Sequence, residues 1–185
     1  MGRRNYIMDI TKHAFEAKRK HFEIKDEDLE KAAQYAIMEA NDWRDAAKVL
    51  KEENYSRQTC VLLLYSTEIY LKAIFMQKGI NITNKENKKQ FGHNIYNMYE
   101  KLDDSEKNRI KSNVDLPVEY TDLAGDRFKE ESFEKMLEFV SNDFVNLRYN
   151  YEKYVNGEPI YVFIGFILAV NENCQKLAES IINQK

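Results

Sequence analysis

Three observations predict an all-α fold for this chain of 185 residues. Only six glycines and two prolines interrupt it, apolar residues recur at three- and four-residue spacing between them, and 43% of the residues are hydrophobic, enough for a core. The pattern predicts an up-and-down bundle of four main helices with short helices added. The length suits one bundle domain over residues 26–185, with residues 1–25 as an N-terminal arm or short helix.

Each element has its own signal. Residues 9–21 read as a short helix or part of the arm. A long helix opens near Asp26, where acidic side chains suit the positive end of a helix dipole, and it carries Leu29, Ala32, Ala33, Ala36, Ile37, Ala40, Trp43, Ala47 and Leu50 on one stripe. Residues 54–56 supply a break and an N-cap, and a second apolar helix over residues 60–78 stops at Gly79. The two predict an antiparallel hairpin. Residues 80–91, rich in asparagine and lysine, read as a loop, and short helices follow over 93–102 and 105–112, the latter behind the capping residues Asp103 and Asp104. Residues 113–126, with Pro117 and Gly125, read as a second long loop of the kind that often carries function. A helix then runs from about Lys129 to Leu147, and Gly157-Glu158-Pro159 opens the last helix.

Composition narrows the function. With 28 basic and 31 acidic residues the net charge is −3, which disfavours coating nucleic acid by bulk charge. A nucleic-acid site must be a local patch. Lys18-Arg19-Lys20-His21 and Lys85 with Lys88-Lys89 are the short basic clusters, and each also reads as an ordinary solvated helix end or loop. Cys60 and Cys174 fall within apolar helical patterns and predict reduced core thiols, hence a cytoplasmic protein. The N-terminus carries no apolar signal core, and the apolar run over residues 160–170 is shorter than the roughly 20 residues of a membrane span, so no membrane partner is expected. No glycine-rich phosphate loop, no histidine or cysteine spacing for zinc and no nucleophile elbow occurs, so neither a metal nor an organic cofactor is predicted.

Two constellations remain. Tyr65, Glu68 and Lys72 lie at i, i+3 and i+7, one polar line along an apolar helix. The line is either a wet outer face with a Glu68–Lys72 pair, or an inward row in which Glu68 holds Arg148 by a bidentate bond. The second constellation, Phe144-Val145-Asn146-Leu147-Arg148-Tyr149-Asn150-Tyr151-Glu152-Lys153-Tyr154, sets one arginine among tyrosines where a helix should end. On a continuous helix Arg148 and Tyr154 would point about 120° apart, so they converge only if the helix stops between them. Otherwise Tyr149, Tyr151 and Tyr154 cover the end of the bundle and Arg148 pairs with Glu152.

Taken with Asn54-Tyr55-Ser56, Tyr65 to Lys72 and Gly92-His93-Asn94-Ile95, this segment resembles the HEPN family of small helical domains. The resemblance spans about residues 26–185. It implies a prokaryotic defence or toxin–antitoxin protein, a two-fold homodimer, and metal-independent RNA cleavage at an arginine followed after four to six residues by histidine. Here Arg148 is followed after five residues by Tyr154, so the arginine is present and the histidine is not. The resemblance assigns Arg148 to the phosphate, Glu68 to orienting it and Tyr154 to proton donation or base stacking, with Asn150, Tyr151 and Lys72 lining an RNA or phosphate cleft.

Tyrosine, with a reference pKa near 10, is only about 0.1% ionised at pH 7, which makes it a poor base but leaves it able to donate or stack. His93 opens a helix in this reading, a setting that suits capping or packing better than catalysis. Two functions stay open: a toxin-like endoribonuclease, and a catalytically silent HEPN module that binds a protein partner such as a nucleotidyltransferase.

Overall fold

The computed structural model describes residues 23–116, 120–121, 127–128, 132–148 and 163–182. The chain is all-α, as its periodicity predicts, with seven α-helices among the described residues. A 3-10 turn at Asp26–Asp28 leads into α1 (Leu29–Glu52), which α2 (Ser56–Gln77) follows at once. Both helices end the same way. Asn54 (φ 63) and Gly79 (φ 77) take the left-handed conformation, and the next amides, Tyr55 N and Ile80 N, donate to Leu50 O and Phe75 O. This Schellman geometry satisfies carbonyls the helix cannot use itself. The predicted break at 54–56 is therefore a C-cap made by Asn54, while no side chain caps the start of α2.

The α1 stripe turns Leu29, Ala33, Ile37, Ala40 and Ala47 inward. Its alanines let α2 approach closely enough for Ser66 Oγ to donate to Ala40 O at 2.8 Å. Trp43, expected on that stripe, is 37% exposed and lies edge-on to Tyr65 at 5.3 Å instead. Its ring is too large for the close contact that the alanines permit.

α2 is the central element, with 15 of its 22 residues buried, so it packs on several sides at once. Against it lies α7 (Ile164–Ile182), where Asn171 meets Leu63, Ser66 and Thr67 and Gln77 Nε2 donates to Ala178 O. Those pairings make α2 and α7 run in the same direction. Arg44 with Glu172, and Asn41 with Gln175, set α1 antiparallel to α7. The start expected for the last helix at residues 157–159 lies outside the described residues.

The side of α2 facing away from α1 is covered by short helices. Residues 80–91 are not a plain loop, because α3 (Lys85–Phe91) forms there. Asn84 caps it by accepting from Asn87 N at 2.8 Å, and Phe91 anchors it 4.6 Å from the Phe75 ring. α4 (Ile95–Glu100) follows, capped by Asn94, and α5 (Asp104–Lys111) opens with a capping box between Asp103 and Glu106. Within the second expected loop β1 (Tyr120–Thr121) pairs antiparallel with β2 (Arg127–Phe128), which lies just past the predicted end of that loop.

α6 (Phe133–Arg148) starts four residues later than its pattern suggested, where Ser132 Oγ accepts from Lys135 N. Phe133 joins Tyr99 and Phe166, each ring centroid 5.5 Å away, which ties α4, α6 and α7 together. α6 is antiparallel to α4, because Tyr99 meets Phe133 while Tyr96 N donates to Ser141 Oγ at 3.0 Å.

α2 is long and apolar enough to cross a membrane, but 78% of its apolar window is buried inside the protein, as a core helix requires. Cys60 and Cys174 are free and buried, and burial alone pushes the Cys60 thiol up to about 12. The expectation that both cysteines belong to the core holds.

Candidate functional site

Glu68 is 1% exposed, at the middle of the central helix. A buried carboxylate is costly unless charged or hydrogen-bonding partners meet it, so those partners define what the position does. Lys72, one turn on, brings Nζ to 2.5 Å from Oε1. His93 brings Nδ1 to 2.7 Å from the same oxygen. The reading of Glu68 as part of a wet outer face is thereby overturned.

The turn between α3 and α4 delivers His93. Gly92 (φ 48) lets the chain leave α3 in a conformation that L side chains rarely adopt, and Asn94 Oδ1 accepts from Asn97 N at 2.8 Å to start α4. His93 thus sits outside both helices, neither capping nor buried. A carboxylate only accepts, so Nδ1 carries the hydrogen and Nε2 is the free edge of the ring. The His93 side chain is 67% exposed and that of Lys72 is 23% exposed, so the cluster runs from a buried acid out to solvent.

The second Glu68 oxygen, Oε2, is buried and has no hydrogen-bond partner among the described residues. A buried carboxylate oxygen of this kind calls for a donor. The α6 backbone passes nearby, since Asn94 Nδ2 lies 3.3 Å from Asn142 Oδ1 and α6 packs against α2. Arg148 is the last described residue of that helix, six positions or about 9 Å of rise beyond Asn142. The helix end expected between Arg148 and Tyr154, the Arg148 side chain, and Asn150, Tyr151 and Tyr154 all lie outside what the structure describes.

Of the sequence-derived candidates, Glu68 and Lys72 come together, and the third member of the cluster is His93, which the sequence reading set aside. A signal existed. Glycine before and asparagine after His93 mark two consecutive helix boundaries, and a side chain between them is free to reach across.

Lys85, Lys88 and Lys89 are exposed on α3, just ahead of His93, and Lys101 lies 4.3 Å over the Phe91 ring. The surface leading to the cluster is locally basic although the chain is acidic. Among the described residues no three histidine, cysteine or acidic groups converge as metal ligands would. Two grooves, of about 600 Å³ beside Tyr35 and Met76 and about 330 Å³ beside Lys48 and Glu172, lie along α1 and do not include Glu68.

Comparisons of the chain with protein-family models, with curated proteins and with solved structures found no match.

Proposed function

We propose that the chain is a HEPN-like protein of a prokaryotic defence or toxin–antitoxin system that engages RNA through its phosphates and cuts it without a metal. Arg148 holds the phosphate, Glu68 orients the guanidinium through Oε2, and Tyr154 donates a proton or stacks a base, with Lys72, Asn150 and Tyr151 lining the cleft. A cytoplasmic homodimer brings two such clefts together.

The observation that supports this reading is the state of Glu68: a buried acid on the central helix, one oxygen shared by Lys72 and His93, the other without a partner among the described residues. The exposed lysines of α3 add a local attraction for phosphate.

The test is cleavage of a mixed RNA pool in the presence of chelator, together with growth on expression of the protein alone. The wild type is expected to cut RNA and slow growth, and Arg148→Ala to do neither. A second reading, the catalytically silent module bound to a protein partner, is favoured by Tyr154 standing at the motif's histidine position. It predicts a harmless protein that retains RNA or a partner without cutting.

A further inference from the structure

We infer that His93 is the proton-transfer residue of this site, carried on the α3–α4 turn rather than in the segment after Arg148, with Glu68 as its positioning residue. The inference rests on the RNA-cleaving reading above and adds to it the group that takes the proton.

Four observations lead there. The Glu68 carboxylate receives the Nδ1 hydrogen at 2.7 Å, which fixes both the tautomer and the ring orientation. Neutral His93 therefore presents an Nε2 lone pair, the form a general base needs, and the ring is 67% exposed, so a ribose can reach it. Lys72 shares the same carboxylate oxygen and brings a cation into the cluster, where a phosphate would sit. The bland roles for a histidine here are already filled: Asn94 caps α4, and Phe91 does the packing over Phe75.

The step balances as a transphosphorylation. His93 Nε2 takes the proton of a ribose 2′-hydroxyl, and the 2′ oxygen bonds to the adjacent phosphorus. The bond from phosphorus to the 5′ oxygen breaks, and that oxygen leaves with the electron pair and takes a proton from water. The hydroxide so formed is neutralised by the proton His93 then releases. The products are a 2′,3′-cyclic phosphate and a 5′-hydroxyl, with no oxidant, reductant or co-reactant beyond water.

The experiment is single-turnover cleavage of an end-labelled RNA in chelator, with RNA affinity measured in parallel, for the wild type, His93→Asn, His93→Ala and Arg148→Ala. Asparagine can still donate to Glu68 but has no counterpart of Nε2, so it keeps the local fold. Both His93 variants are expected to lose roughly 100-fold or more in rate at unchanged affinity, the usual scale of general acid–base catalysis. Added imidazole should restore part of the His93→Ala rate and none of the Arg148→Ala rate. Cleavage by His93→Asn at the wild-type rate overturns the inference and leaves the RNA-cleaving reading standing. A rate loss that follows weaker binding, with no rescue by imidazole, also overturns it. A wild type that binds RNA without cutting removes the inference and keeps the binding reading, and one that does neither removes both.

Discussion

Ser66 and Thr67 sit beside Glu68 on α2, all three are buried, and they are satisfied in opposite ways. Ser66 Oγ donates to Ala40 O, Thr67 Oγ1 donates to Leu63 O, and Asn171 Nδ2 lies within 3.1 Å of Ser66 Oγ, Thr67 Oγ1 and Leu63 O. Every member of that group is neutral and most partners are backbone carbonyls. Glu68 is an acid whose partners are the solvent-reaching side chains of Lys72 and His93; among the described residues its Oε2 has no partner, as is also true of Asn171 Oδ1. The neutral network ties α1, α2 and α7 to one another, while the partners of the acid lead outward to solvent, where a ligand can reach them. Polarity inside a helix does not distinguish the two, but the destination of its hydrogen bonds does.

The largest expected effect breaks the neutral network. Asn171→Ala removes the donors that join α7 to α2 and leaves a small cavity, so it should cost about 3 kcal/mol in urea unfolding. RNA cleavage per folded molecule should be unchanged. Glu68→Gln is the converse, since glutamine can still accept from Lys72 and His93 and the fold should hold within about 1 kcal/mol. Losing the charge that orients His93 and Arg148 should lower kcat/KM roughly tenfold, a size common for groups that position a reacting residue. If Asn171→Ala instead lowered kcat and Glu68→Gln mainly unfolded the protein, the division between the two regions would be wrong.

Gly79→Ala sharpens the comparison from outside both regions. A β-carbon at φ 77 strains the cap of α2, although no neighbouring atom lies within 4 Å, and the cost should be on the order of 1 kcal/mol of stability with kcat unaffected. Asp103→Asn is the smallest change. The Asp103 carboxyl is held below its ordinary value chiefly by the Glu106 backbone N–H it caps, with the Glu106 and Lys78 side chains adding. A carboxyl lowered on folding adds stability that is full above its unfolded value near 3.8 and is lost as pH falls through the folded value. Asparagine still caps but cannot titrate, so the variant should show a flatter loss of stability below about pH 4 in acid unfolding.

Much of the fold was legible because it rests on local signals. The break at residues 54–56 and Gly79 mark the ends of α1 and α2 whatever packs around them, and Asp103 announces α5. α3 was hidden because Lys85 to Gln90 carry no apolar period, and its one buried residue, Phe91, acquires meaning only beside Phe75. Trp43 fits the stripe by spacing and fails by size. At the site, Glu68 and Lys72 could be read as a polar line on an apolar helix, since both lie on one element. The contact of His93 with Glu68 spans 25 residues and depends on the turn at Gly92, which periodicity cannot express.

The most direct test of the account is the tautomer of His93, read from long-range proton–nitrogen correlations of the imidazole side chains at neutral to mildly alkaline pH. The geometry predicts a protonated Nδ1 and an unprotonated Nε2 for His93 in the wild type, with that preference lost in Glu68→Ala. A His93 ring protonated at Nε2, or one unchanged by removal of Glu68, would contradict the claim that the buried acid holds this histidine and aims it at solvent.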